Sequence, residues 1–168
     1  MINISKLINI DISTTESKWK NIATKSELQK LCQDLVINTF SYLKFSKEIS
    51  KQNKKIQISF HLINDKEIQK INFEYRNKNK PTNVLSFPLF EQEFLKALKL
   101  QPEVALGDIF ISYETLKKES IELNIDFQDH LKHLIIHSVL HLLGYDHQKD
   151  KQAKEMETIE QDILSFYK

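Results

Sequence analysis

The sequence predicts an α+β fold in a single domain, with a sheet of about four strands packed against about five or six helices. Segments with alternating apolar residues are interspersed with segments of helical spacing, which is the basis of this prediction. The 168 residues are enough for one hydrophobic core. Because the chain has only two glycines and three prolines, the breaks between elements are easy to place, and we expect one domain over residues 1–168.

Four segments have the alternation or the β-rich composition of strands. They are residues 3–13, KIQISFHLI at 55–63, NVLSF at 83–87 and VALGDIFIS at 104–112. The third stops at Pro88, which cannot donate a hydrogen bond in a central ladder. Gly107, inside the fourth, indicates a bulge or the close approach of another backbone.

Six segments have the apolar spacing of helices. They are residues 25–45, 65–76, 89–101, 113–123, 126–143 and 150–168. Between the first helix and the second strand, KEISKQNKK at 47–55 is polar and basic, and we expect a loop there.

Composition excludes some classes of protein. The net charge of +1 argues against a strongly basic nucleic-acid binder, although a local basic groove is compatible with it. No apolar run is long enough to span a bilayer, and the first residues lack the pattern of a secretory signal, so we expect no membrane partner. The single cysteine, Cys32, excludes an internal disulfide and suits a reducing cytoplasm, where we expect an inert core thiol.

Histidines are concentrated in one region, because five of the six lie between residues 130 and 147. His137 and His141 are one helical turn apart, which places both imidazoles on the same face. Gly144 follows as the expected C′ residue, and a turn there would return His147 toward the pair. Three nitrogen ligands with an open fourth position describe a catalytic zinc site, so we predict one Zn²⁺ held by these three histidines.

Two other uses of the histidines are less favoured. A closed structural site needs a fourth ligand, for which Cys32 is the only thiol and lies in a buried context. His133 could also pair with His137, but Gly144 would then be wrongly spaced, so we expect His133 in the core or orienting a ligand ring. His130 is expected at the surface or at the helix start.

The spacing of the histidines matches the metzincin zinc motif except at one position. Ser138 stands where those proteases have the Glu that activates water. This counts against a metal-dependent peptidase, although a carboxylate supplied from elsewhere would restore that possibility.

Arg76 is the only arginine among 24 basic residues. Codon bias toward lysine explains the general avoidance of arginine. A planar guanidinium can nevertheless bind phosphate or carboxylate through two hydrogen bonds, as lysine cannot. We therefore include Arg76 among the candidate functional residues.

Three segments resemble conserved motifs of one bacterial family. HSVLHLLGYDH at 137–147 resembles the signature H-G-x-L-H-L-x-G-Y-D-H of the YbeY family of endoribonucleases, which are rRNA maturation factors. YRNKNKPTNVLSFP and LGDIFIS are similar to two further segments of the family, and all three occur in the expected order. One departure is Ser138, where the family usually has glycine.

The resemblance implies a mixed four-stranded sheet, zinc bound by His137, His141 and His147, and the family's conserved arginine at Arg76. It also implies cleavage of single-stranded RNA, with roles in 16S rRNA 3′-end maturation and ribosome quality control. An rRNA precursor and the ribosome or its small-subunit proteins would be the partners, with no DNA. A non-catalytic, ribosome-associated metal-binding module is a further possibility.

A nuclease of this kind also needs a proton carrier. Asp146, next to a predicted ligand, and Asp108, beside Gly107, are the acidic candidates. Structural roles compete with catalysis at both positions, since Asp146 could cap the turn and Asp108 could orient a histidine.

Overall fold

A four-stranded mixed sheet lies at the centre of the fold, with the strands in the order β1-β2-β4-β3. β1 and β4 run parallel to β2, which lies between them, whereas β3 pairs antiparallel with β4 and forms one edge. The strands are Ile8–Thr14 (β1), Lys55–Ile63 (β2), Val84–Pro88 (β3) and Glu103–Ser112 (β4). The structure, a computed structural model, describes residues 3–90, 93–146 and 149–167.

Seven α-helices pack around the sheet in these ranges. They are Lys25–Tyr42 (α1), Phe45–Gln52 (α2), Asp65–Arg76 (α3), Phe94–Leu100 (α4), Tyr113–Glu122 (α5), Phe127–Leu142 (α6) and Asp150–Ser165 (α7). The single α+β domain is therefore confirmed. The described helices fall short of the length and apolar character that a bilayer span requires.

The helix count exceeds the five or six expected, because the segment predicted as a loop at 47–55 lies largely in α2. Ile49 is the only apolar residue in that segment, so no helical period is visible in the sequence. Its side chain is completely buried. Packing of this one residue against the core stabilises a helix that periodicity cannot reveal.

α6 is the central helix of the main core, where it packs against β3, α1 and α7. Its apolar residues Ile135, Ile136, Val139 and Leu140 are almost completely buried. Cys32 of α1 is buried in the same core, and this burial raises the pKa of its thiol, as expected of an inert residue. The position of α6 decides where its histidines lie relative to the sheet.

A Schellman motif ends α6 at the predicted glycine. Gly144 has a φ of +92°, and its N–H donates to the carbonyl oxygen of His141 at 3.0 Å. The N–H of Tyr145 donates to the carbonyl oxygen of Leu140 at 3.0 Å. The expected turn after α6 is thus present, and it brings the backbone of Tyr145 back beside His141.

Gly107 allows β3 to approach β4 closely. The register between β2 and β4 shifts next to it, so the predicted bulge is present. Gly107 has a φ of +147°, and a Cβ at this position would lie 2.1 Å from the carbonyl oxygen of Phe87. The missing side chain therefore keeps β3 in register along the edge of the sheet.

Alanine substitutions at the two glycines should have unequal effects. Gly107→Ala combines an unfavourable φ with a backbone clash, so we expect a loss of about 3 kcal/mol and a Tm lower by ~10 °C. Gly144→Ala meets nothing within 4 Å, and its unfavourable φ alone should cost about 1 kcal/mol. Thermal unfolding followed by circular dichroism measures both. Equal losses would contradict the close approach at Gly107.

Candidate functional site

A cleft of about 550 Å³ lies where the end of α3, the edge strand β3 and the end of α6 meet. Cationic, imidazole and carboxylate side chains line this cleft together with residues of β3. The lining residues are Arg76, Lys78, Asn83, Val84, Ser86, Pro88, His137, His141 and Asp146. Residues from the segments 76–88 and 137–146, both predicted to carry function, therefore meet in one place.

His137 and His141 face each other at this cleft. Their rings are nearly perpendicular with centroids 4.5 Å apart, and their Nε2 atoms lie 3.1 Å apart. Two nitrogens bound to one tetrahedral zinc at ordinary bond lengths would be about 3.3 Å apart. The spacing of the pair is therefore close to that of two ligands of one metal ion.

The other nitrogen of each ring is held by an acceptor. Nδ1 of His141 lies 2.9 Å from the carbonyl oxygen of Tyr145, and Nδ1 of His137 lies 2.7 Å from Oε1 of Glu160. A carbonyl oxygen and a carboxylate accept, so each Nδ1 carries a proton. In the neutral rings, both Nε2 atoms then present lone pairs to each other, an arrangement that a cation between them would stabilise.

Glu160 of α7 orients two histidines of α6 at once. Its Oε1 accepts from His137, and its Oε2 lies 2.8 Å from Nε2 of His133. Burial disfavours its charged form, but the hydrogen bonds from His133 and His137 outweigh this and lower the pKa of Glu160 from 4.5 to about 2. Glu160 is therefore an ionised acceptor of the kind that fixes the tautomer of metal-binding histidines.

His133, His137 and Glu160 also form a group that could itself hold a metal ion. Their potential ligand atoms all lie within 4.8 Å of one another. The individual distances of 2.7 and 2.8 Å are those of charge-assisted hydrogen bonds and are shorter than a ligand pair requires. His137 therefore directs Nδ1 toward Glu160 and Nε2 toward His141. The distances favour a metal ion bound at Nε2, beside His141.

The predicted ligand His147 lies outside the described residues, as does Gln148. The two other predicted ligands, His137 and His141, lie together at the cleft, and Asp146 lines it as well.

Arg76 reaches the cleft because the chain after it folds back on α3. Asn77 ends α3 in the left-handed conformation, and the N–H of Lys78 donates to the carbonyl oxygen of Asn72 at 3.2 Å. The buried side chain of Asn72 donates in turn to the carbonyl oxygen of Lys80 at 2.8 Å. These bonds hold the backbone of Arg76 and Lys78 beside the cleft.

Asp108 is not among the residues that line the cleft. Its side chain accepts from Nε2 of His61 at 3.0 Å, and Nδ1 of His61 lies 2.8 Å from Oγ of Ser13. Along β4, Asp108 alternates with the buried Ile109, so the two side chains point to opposite faces of the sheet. Asp108 does hold a histidine, but His61 is not one of the predicted ligands.

Sequence reasoning missed Glu160 and misjudged His130. Glu160 lies beside Ile159 and Ile163 on the buried stripe of α7, and an acidic residue on an apolar stripe is the signal that could have identified it. His130 does lie in the first turn of α6, but it is buried, with Nε2 2.8 Å from Oε2 of Glu119. The expectation of a helix-start position for His130 is therefore confirmed, and the alternative of a surface position is wrong.

Single histidine substitutions should reveal whether a metal ion binds at the His137–His141 pair or at the group formed by His133, His137 and Glu160. We expect His141→Ala to lose the metal and His133→Ala to keep it with reduced affinity, because His133 acts on His137 through Glu160. Elemental analysis of the purified proteins, with a chelator titration for affinity, measures both. Loss in His133→Ala with retention in His141→Ala would place the ion in the His133 group instead.

Glu160→Gln should weaken metal binding by about 10- to 100-fold. Glutamine has one acceptor oxygen, so it can no longer accept from both imidazoles, and the ring of His137 loses its fixed tautomer. Glu157→Gln, an exposed change one turn earlier on α7, is the control and should leave affinity unchanged. Equal affinities for the two variants would contradict the orienting role of Glu160.

The chain is similar to known proteins of one family. The family model described as Endoribonuclease YbeY matches residues 12–168. Proteins named Endoribonuclease YbeY from Sinorhizobium fredii and Bartonella quintana are 38% and 39% identical over 158 residues, covering 94% of this chain and 87% and 92% of theirs. The solution structure of TM1509 from Thermotoga maritima is 28% identical with a TM-score of 0.56, covering 92% of this chain and 86% of that one. The chain belongs to the endoribonuclease YbeY family.

Proposed function

We propose that this protein is a zinc-dependent endoribonuclease that cleaves single-stranded RNA in 16S rRNA 3′-end maturation and ribosome quality control. The observation that carries this proposal is the cleft in which Arg76 and Lys78 lie beside the His137–His141 pair. Phosphate-binding cations and metal-binding imidazoles in one cleft are the groups that phosphodiester cleavage requires. The names of the relatives provide independent support.

In this proposal, His137, His141 and His147 hold the zinc ion. Zinc supplies Lewis acidity, which polarises a phosphoryl oxygen and makes water a stronger acid. The donor set suits zinc because imidazole is among its preferred ligands, and Glu160 and the carbonyl oxygen of Tyr145 fix the tautomers of the first two rings.

Arg76 binds the non-bridging oxygens of the scissile phosphate. Its guanidinium can form two parallel hydrogen bonds, and it stabilises the negative charge that develops as the phosphorus is attacked. Lys78 adds a second positive charge at the same cleft. The attacking group is either water or the 2′-hydroxyl of the RNA itself.

Asp146 is the better placed of the two candidate proton carriers. It lines the cleft with His137 and His141, whereas Asp108 lies against His61. We assign proton transfer at the substrate to the carboxylate of Asp146. Asp108 holds His61 in place on the other face of the sheet.

The rival function of a metal-dependent peptidase lacks its general base at the expected position. Ser138 is completely buried, and its hydroxyl donates to the carbonyl oxygen of Leu134 at 2.7 Å. The residue after His137 therefore faces the core instead of the cleft. Incubation with labelled RNA and with casein, each with and without chelator, distinguishes a nuclease from a peptidase.

The wider context follows from the proposed activity. An rRNA precursor is the substrate, the ribosome or its small-subunit proteins are partners, and the site of action is the cytoplasm. A non-catalytic metal-binding module at the ribosome is the second rival, and it predicts that purified protein does not cleave RNA at all.

Arg76→Ala should reduce kcat/KM for cleavage of single-stranded RNA by ~100-fold, since it removes the bidentate phosphate contact. Arg76→Lys keeps the charge without the planar geometry and should recover only part of this loss. Lys70→Ala, an exposed change on the same helix, is the control.

A gel assay with labelled RNA measures all three variants, and circular dichroism verifies their folding. Chelation should abolish cleavage by the parent protein, and added zinc should restore it. Undiminished cleavage in the folded Arg76→Ala protein would indicate a contaminating nuclease and support the binding-module rival.

A further inference from the structure

Alternate backbone groups of the edge strand β3 point outward from the sheet. At one end the N–H of Ser112 donates to the carbonyl oxygen of Asn83, and at the other the N–H of Leu89 donates to that of Leu106. Because backbone groups alternate along an antiparallel strand, Leu85 and Phe87 also bond to β4. Val84, Ser86 and Pro88 alternate with these bonded residues, so their backbone groups point away from β4.

These three residues are the ones through which β3 lines the cleft. β3 is at the edge of the sheet, so no further strand pairs with their outward groups among the described residues. The N–H of Val84 donates to Oδ1 of Asn83 at 2.7 Å, and proline has no N–H. Within β3, the N–H of Ser86 is therefore the backbone donor that remains for a substrate.

We propose that the backbone N–H of Ser86 donates a hydrogen bond to a non-bridging oxygen of the scissile phosphate. This inference rests on the proposed nuclease function and adds a catalytic group to it. Ser86 lines the same cleft as Arg76, His137 and His141, so the phosphate meets a backbone donor as well as the guanidinium. A donor aimed at developing negative charge stabilises the transition state more than the ground state.

The donor is held rigidly by the groups on both sides of it. The side chain of Asn83 donates to Oε2 of Glu119 at 2.9 Å, and the buried His130 lies 2.8 Å from the same oxygen. At the other end, Gly107 allows the carbonyl of Phe87 to approach β4. A backbone N–H fixed in this way needs no reorganisation during the reaction.

The same pattern argues against a peptide as the occupant of this edge. A peptide that adds to a sheet edge requires successive donors and acceptors along the strand. Here Val84 has already donated to Asn83, and Pro88 offers no donor. One isolated N–H suits a phosphate oxygen, and the neighbouring Arg76 and Lys78 favour an anionic substrate.

Two kinds of variant test the proposal. One removes the hydroxyl of Ser86 and keeps its backbone N–H, and the other removes the N–H itself. Ser86→Ala keeps the N–H and removes only the hydroxyl, so it is the reference for the variants that lack the N–H. The α-hydroxy acid analogue of alanine at position 86 replaces the N–H by an ester oxygen, and kcat should fall ~100-fold with KM little changed. Ser86→Pro, which an edge strand tolerates at an outward-facing N–H, should show a similar fall.

The matched control is the same ester at position 87. The N–H of Phe87 faces β4, so this ester should lower the Tm while kcat stays near that of the parent protein. Zinc content and circular dichroism of every variant report on folding and on the metal site. The ester at position 86 should leave the zinc content and the fold unchanged. Its carbonyl is that of Leu85, which then accepts more weakly from β4, so only a small fall in Tm is expected.

The outcomes separate this inference from the proposed function. If the parent protein does not cleave RNA, the proposed function fails. If the parent cleaves and the position-86 ester cleaves equally well, the role of the Ser86 N–H is refuted. If Ser86→Ala loses as much activity as the ester, the hydroxyl is the functional group and the backbone proposal is again wrong. Casein cleavage that depends on the N–H of Ser86 would instead identify a peptide substrate.

Discussion

The carboxylate of Glu160 is the constraint on which the candidate site depends. It is buried and ionised between α6 and α7, and it accepts hydrogen bonds from His133 and His137 at once. Removing a carboxylate from water is costly unless each oxygen finds a donor, and two imidazoles supply those donors. This contact decides which nitrogen of His137 faces the cleft. With Nδ1 of His137 engaged by Glu160, its Nε2 is the nitrogen that faces His141.

The cleft is formed by segments that serve different electrostatic purposes. α6 supplies imidazole lone pairs, which suit a cation, while the end of α3 supplies Arg76 and Lys78, which suit an anion. A phosphate bound between them would contact both, since its oxygens can approach a metal and a guanidinium together. The edge strand β3 completes the cleft, and its position depends on the missing side chain of Gly107.

The elements that periodicity describes well were predicted well. β2 and α3 occupy the predicted residues, because the nine-residue alternating segment ends at Ile63 and the side chain of Asn64 then caps the following helix. α2 was not predicted, since a single buried isoleucine in a polar segment leaves no period to detect. The acidic residue Glu160 was not predicted, because it lies among the buried apolar residues of α7 and its partners His133 and His137 belong to another helix.

The candidate site residues also differed in how well their positions could be predicted from the sequence. His137, His141 and Asp146 lie within one helix and its terminal turn, so local geometry was enough to bring them together. Asp108 depends on which face of β4 it occupies, and the bulge at Gly107 changes the alternation at that point. Counting along the sequence could not decide that its side chain meets His61, which lies on another strand.

The sequence by itself determined the pairing of His137 with His141 and the turn at Gly144, because helical rise and the conformational freedom of glycine act over a few residues. Only the tertiary structure decided which nitrogen of each ring faces the cleft, since that choice depends on Glu160 and on the carbonyl of Tyr145. It also decided that Arg76 and Ser86 line the same cleft as those rings, because their separation in sequence is bridged by sheet pairing and by the packing of α6 against β3.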